Sequence, residues 1–222
     1  MEASALDCDL GPLLRTLHFY SESEGGQDPA YIAETAQIPG KRNYEHNPVK
    51  VLIKDYQGLE SEFSLDVHSF ALEPDSYHAG VEEGVDFGQD ADIEAKYLPF
   101  VERLIMRHVP GAEKVVFFDH TVRRARGTKL PWNHVKKTHV DQSPKGAIGR
   151  AQRHLEKEDW ETISNGQKRF RIINVWKPLV PVLGHPLAFA DTRTLLEDDL
   201  VRVRHVYPDY VGETLAVRHR DG

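Results

Sequence analysis

The sequence predicts one mainly-β domain of the α+β class, an antiparallel sandwich or barrel with helices packed outside it. Three observations carry that expectation. The chain has 222 residues, 40% hydrophobic and 28% charged, enough for a sizeable core. One strongly periodic helix stands in the front half, and several short alternating strands crowd the back half. The sequence shows no internal repeat, and 1–222 reads as a single domain in which 1–48 form an N-terminal arm and loop.

Residues 21–48 are rich in Gly, Pro, Ser, Asn and Glu, so they predict a long surface loop. Val51-Leu52-Ile53-Lys54-Asp55-Tyr56 runs into Gly58, and Glu62-Phe63-Ser64-Leu65-Asp66-Val67 alternates polar with apolar; together they predict a hairpin. Over 90–108, Ile93, Tyr97, Phe100, Val101, Leu104, Ile105 and His108 recur at spacings of three and four. That pattern predicts a helix capped by Asp90 or Asp92 and ended by Pro110-Gly111. Lys114-Val115-Val116-Phe117-Phe118-Asp119 reads as a buried strand.

The stretch from His120 to Lys137 carries Arg123, Arg124, Arg126, Lys129, Lys136 and Lys137 without an acid, and reads as a solvated loop or an anion-attracting patch. Ser143-Pro144 has the form of an N-cap and first helical residue, opening a helix through Leu155. Arg169-Phe170-Arg171-Ile172-Ile173-Asn174-Val175-Trp176 is strongly β-prone until Lys177-Pro178 stops it, and 186–191 reads as a short extended piece. Residues 200–206 and 213–217 alternate well enough to predict two more strands.

A formal charge of -7 argues against a general nucleic-acid binder. The single cysteine, Cys8, allows no intrachain disulfide and no cysteine-rich metal site. The first residues, Met1 to Asp7, are acidic and lack an apolar core, so no signal peptide is expected. No apolar run nears the length of a membrane helix. The expectation is a cytoplasmic protein that binds neither membrane nor nucleic acid. Gly-x-Ser-x-Gly, Walker and Gly-x-Gly-x-x-Gly motifs are absent, so hydrolases of that type, P-loop enzymes and dinucleotide binders lack support.

His139-Val140-Asp141 is the chemically pointed motif. On a strand, residues i and i+2 face the same side. An imidazole nitrogen and a carboxylate oxygen there supply two ligands of a non-haem Fe(II) site, with a distant histidine as the third. The spacing alone is weak, because 12 histidines and 35 acids produce it by chance.

Five segments carry a more specific resemblance. They are Phe118-Asp119-His120-Thr121-Val122-Arg123-Arg124; His139-Val140-Asp141-Gln142-Ser143 with Arg150 and Arg153 behind it; Asn174-Val175-Trp176-Lys177-Pro178-Leu179; Pro186-Leu187-Ala188-Phe189-Ala190-Asp191-Thr192-Arg193; and Tyr207-Pro208-Asp209-Tyr210-Val211-Gly212-Glu213-Thr214. In this order they resemble the AsaB-type hydroxylase/desaturase family, which includes CmcJ-like proteins. The resemblance implies a double-stranded β-helix (jelly roll) with flanking helices. It also implies an Fe(II)- and 2-oxoglutarate-dependent hydroxylase or desaturase that tailors a small secondary metabolite in fungi. His139 and Asp141 are then the metal ligands.

A 2-oxoglutarate cosubstrate needs a cation for its distal carboxylate. Arg171 and Arg193, in or beside matching segments, are the first candidates, with Asn174 as a pocket-lining partner; Arg150 and Arg153 are alternatives. Each arginine alone reads equally as a solvated surface charge, and Trp176 as pocket lining or core. In the family, the strand matching Glu213 to Val217 runs on into a His-Arg-Trp that supplies the third ligand. Here the chain ends at His219-Arg220-Asp221-Gly222. The expectation is a truncated sheet without that ligand, or His219 or His205 in its place. His219 reads as a disordered tail residue, His205 as structural, and neither His120 nor His134 gains a ligand role. A missing strand would expose a sheet edge and favour a homodimer. Two rival readings follow: a non-catalytic jelly-roll remnant, and a zinc hydrolase built on the same pair.

Overall fold

The computed structural model of the chain describes residues 13–23, 30–34, 39–73, 84–123, 136–180, 182 and 187–220. By backbone proximity the chain divides into two compact units. The first comprises Met1–Phe70, His134–Gly146 and Leu187–Gly222, and the second Ala71–Asn133 and Ala147–Pro186. Among the described residues no helix is long and apolar enough to cross a membrane.

Among the described residues, the strands all lie in the first unit. β1 (Leu13–Glu22) and β4 (Tyr44–Ile53) form an antiparallel pair over their full ten residues. A five-stranded sheet has the order β3 (Pro39–Arg42), β2 (Ala30–Glu34), β6 (Leu200–Val206), β7 (Val211–Val217), β5 (His139–Val140). The pairing of β2 with β6 is parallel, so the sheet is mixed rather than purely antiparallel. The expected strands over 200–206 and 213–217 are present and close as a hairpin. Its turn is held by Tyr207 N–H donating to the Tyr210 carbonyl (2.9 Å) and by the two rings stacking 4.3 Å apart.

Residues 21–48, expected as a loop, instead carry β2, β3 and the start of β4. Pro48 and the polar composition masked this. Pro48 sits opposite His18 on a two-stranded sheet, where a residue that cannot donate is tolerated. Val51-Leu52-Ile53 pairs with Leu13-Leu14-Arg15, so the expected hairpin with 62–67 does not form. Residues 65–68 form one helical turn, α1 (Leu65–His68), closed by the buried His68 ring, whose Nδ1 accepts from Ser64 N–H at 3.1 Å.

The core of this unit is Ala30, Tyr44 and Val203, with Tyr20, Ile32, Val201 and Ala216 packed around them. It draws on both sheets. Val203, only 1% exposed, contributes about 1.5–3 kcal/mol of apolar burial.

In the second unit the helix expected over 90–108 is present. It starts as α2 (Asp90–Asp92), widens into a π-turn at Ile93–Tyr97 and continues as α3 (Leu98–His108). Pro99 explains the widening. It has no N–H for the Ala95 carbonyl, and its ring would clash with that group in a regular α-turn. Phe100, Val101 and Leu104 are buried, as their spacing predicts. Asp90 and Asp92 are not caps; they lie within the first turn, where Asp92 accepts from Lys96 Nζ at 2.8 Å.

α4 (Pro144–His154) follows Ser143 as expected, and α5 (Lys157–Ser164) comes next. The strands expected at 114–119 and 169–176 do not form; neither stretch is paired by any ladder among the described residues. Side-chain contacts lie within the first stretch and just before the second. Lys114 pairs with Asp159 (2.6 Å) and Lys168 with Glu113 (2.5 Å), and the Phe118 ring stacks on His154.

Candidate functional site

His139 stands where the chain passes from one sheet to the other. Just before it, His18 N–H of β1 donates to the Lys136 carbonyl (3.0 Å), and Thr138 N–H donates back to the His18 carbonyl (2.9 Å). From His139 onward the partner is β7, with His139 opposite Ala216 and Val140 opposite Leu215. The two-residue strand is therefore paired with β7, and β1 anchors the residues just before it.

The two side chains converge as the spacing predicts. His139 Nε2 lies 3.0 Å from Asp141 Oδ1, and His139 Nδ1 lies 2.9 Å from the Lys137 carbonyl oxygen. A carbonyl only accepts, so Nδ1 carries a hydrogen. That leaves Nε2 as the nitrogen turned toward the carboxylate. The hydrogen bond to Asp141 is the main reason the imidazole holds its proton above the usual histidine range; partial burial opposes this and the Lys137 carbonyl supports it.

The pair fits a metal ion on two counts. The backbone carbonyl that fixes Nδ1 is the usual device for presenting Nε2 to a metal. The 3.0 Å gap matches adjacent ligands of an octahedral ion, which are roughly 3 Å apart when each bond is about 2.1 Å. Among the described residues no group of three His, Cys, Asp or Glu side chains comes together to hold an ion.

The remaining histidines stand as follows. His205 Nε2 meets Thr214 Oγ1 at 3.1 Å, a structural role. His219, expected as a disordered tail residue, is half-buried and edge-on to Phe19, ring centres 4.9 Å apart. Its neighbours hold it there: Arg218 N–H donates to the Asp199 carbonyl (2.8 Å), and Arg220 Nε reaches the buried Asp199 carboxylate at 2.7 Å. His120 pairs with Asp90 in the second unit. His134 and residues 124–135 of the basic stretch lie outside the described residues.

The cosubstrate candidates fall in both units. Arg193, in the first unit, directs its Nε and a terminal nitrogen onto Asp191 at 2.6–3.1 Å, and this guanidinium holds the Asp191 carboxyl down at about 2. A cosubstrate carboxylate would have to displace Asp191. Arg171 and Asn174 are exposed in the second unit, each with contacts of its own. Trp176 is 48% exposed, so it is not core. Arg150 lies over the Phe118 ring at 5.2 Å.

Sequence reasoning missed the inner wall beside His139. A small cleft there is lined by His18 and His46 from the two-stranded sheet, Lys137 and Thr138 before His139, and Thr214 from β7. Burial, with the positive charges of Arg42, His18 and Lys137, pushes His46 below the usual histidine range. Alternation along β1 and β4 was the available signal, obscured by Pro48. Also missed was the partnership of Ser143 with Glu213, both buried.

The chain is similar to several known proteins. The Fe(II)/2-oxoglutarate-dependent dioxygenase nvfI of Aspergillus novofumigatus is 31% identical over 186 residues, which is 82% of this chain and 65% of that protein. The hydroxylase/desaturase poxK of Penicillium oxalicum is 29% identical over 160 residues, 71% of this chain and 49% of that one. The chain thus spans between about half and two thirds of these relatives. The solved structure of the iron and alpha-ketoglutarate-dependent endoperoxidase NvfI matches with a TM-score of 0.75 at 26% identity, covering 96% of this chain and 77% of that one. The sequence profile of the family described as YDMC, oxidoreductase/YMDC permease-like domain, matches residues 17–222, and this chain belongs to that family.

Proposed function

We propose that the chain is an Fe(II)- and 2-oxoglutarate-dependent hydroxylase or desaturase acting on a small secondary metabolite, of the AsaB type and with a jelly-roll scaffold. The observation that carries the reading is the convergence of His139 Nε2 and Asp141 Oδ1 at 3.0 Å, with Nδ1 fixed by a backbone carbonyl. The names of the similar proteins support the same chemistry.

His139 and Asp141 would hold the iron. The chemistry supplied in such a site is oxidative decarboxylation of 2-oxoglutarate to succinate, coupled to removal of hydrogen from the substrate. The protein's own part is positional. The Lys137 carbonyl keeps the imidazole in one orientation, and Asp141, now hydrogen-bonded to His139, would supply the carboxylate oxygen beside it. β1 and β7 keep the two-residue strand from shifting. Arg171, Asn174 and Arg193 stay candidates for the cosubstrate, Arg193 only after release from Asp191.

Incubation with Fe(II), ascorbate and 2-oxoglutarate tests this. Succinate release that vanishes in His139→Ala supports the oxygenase. Oxygen-independent turnover with Zn(II) would replace it with a hydrolase, and absence of metal uptake would leave a non-catalytic scaffold.

A further inference from the structure

Asp141 lies one residue beyond the β5 ladder, and its side chain is half exposed, yet its carboxylate is set against His139. Neither the ladder nor burial accounts for that placement. The next tie to β7 comes two residues later. Ser143 N–H donates to the Glu213 carbonyl (3.1 Å), and Ser143 Oγ donates to Glu213 Oε1 (2.5 Å). Ser143 is fully buried and Glu213 is 9% exposed. The same Oγ accepts from Gly146 N–H at 3.0 Å. Gly146 packs directly on β7: a Cβ there would fall 2.2 Å from the Glu213 carbonyl oxygen.

The register across these ties is unequal. Val140 faces Leu215, and Ser143 bonds Glu213, so three residue steps on one side match two on the other. One extra residue must be absorbed between the two ties, over Asp141 and Gln142, where the chain bends. An extra residue in a ladder tilts the local strand and re-aims its side chains.

We propose that Ser143, Glu213 and Gly146 form a clasp that locks this one-residue slip and thereby aims the Asp141 carboxylate at His139. Ser143 and Glu213 are positioning residues of the metal site, an inference that rests on the metal reading above. The clasp works through a buried carboxylate, so an uncharged acceptor of the same shape preserves it and a hydrocarbon does not.

The test uses the full chain, titrated with Co(II) without oxygen and followed by visible absorption, and crystal structures of the variants. Ser143→Ala and Glu213→Leu are expected to weaken Co(II) binding by about 10-fold or more. Their crystal structures should show Asp141 turned away from His139. Glu213→Gln should restore wild-type affinity and the wild-type spectrum. A folded Ser143→Ala protein with unchanged affinity and Asp141 still 3.0 Å from His139 overturns the clasp. Wild-type protein that takes up no Co(II) overturns the metal reading alone, and the crystal structures then decide the clasp by the position of Asp141.

Discussion

Two stretches that look alike on paper end differently: the one holding His139 and Asp141 and the one over residues 169–176 were both expected as strands. The second is the better strand former, with Phe170, Ile172, Ile173, Val175 and Trp176. Yet no ladder pairs it among the described residues, and Val175 and Trp176 are 39% and 48% exposed. The first has poorer local credentials, but β7 pairs with it at His139 and Val140, and β1 bonds the residues just before it. Local β-propensity measures fit to a pleated surface; a partner strand decides whether that surface exists.

The largest break in this contrast would come from the core behind the paired stretch. Tyr44 is 3% exposed and lies among Ala30, Val203 and Tyr20. Tyr44→Ala should cost about 3 kcal/mol or more in chemical denaturation. Trp176→Ala, in the unpaired stretch, should cost about 0.5 kcal/mol or less. Equal costs would mean that the two stretches are equally embedded.

Gly146→Ala sets two effects against each other. Alanine favours the helix by roughly 1 kcal/mol, whereas the clash with the Glu213 carbonyl should cost roughly 1–3 kcal/mol. Backbone is the obstacle, so the clash should win and the melting temperature should fall. A rise would show that β7 yields easily at this point.

The smallest effect is a matter of pH. Because the folded value of His139 is raised, the stability it contributes is complete below the ordinary histidine value. It is lost as pH rises through the raised one. The pair is partly exposed, so about 0.5 kcal/mol is at stake. Metal uptake has the opposite sense, since the Nε2 proton must leave first. Following His139 by NMR, Asp141→Asn should return the titration toward the ordinary histidine value. An unchanged titration would remove Asp141 as the cause.

Much of this was legible where one local signal sufficed. The 3.6-residue period predicted the helix over 90–108, Ser143-Pro144 predicted the start of α4, and alternation predicted the β6–β7 hairpin. The meeting of the His139 imidazole with the Asp141 carboxylate was legible too from their spacing of two, although the strand itself stops at Val140. What could not be read depended on distant partners. β1 meets β4 some thirty residues on, with Pro48 in the ladder. Ser143 meets Glu213 across 70 residues, and Ser143 carried only the signal of a helix cap. The π-turn before Pro99 gave a sequence cue, a proline inside a helical period, which the periodicity hid.

The hydrogen bonds between His18 and Thr138 join positions 120 residues apart, and the ladder at His139 joins it to a strand more than seventy residues further on. Loop closures of that length are slow relative to turns and helices. The imidazole therefore acquires its final orientation late in folding, once two sequence-remote strands have found the same short segment. On the metal reading proposed above, a nascent chain would offer passing ions only a loose, unoriented imidazole.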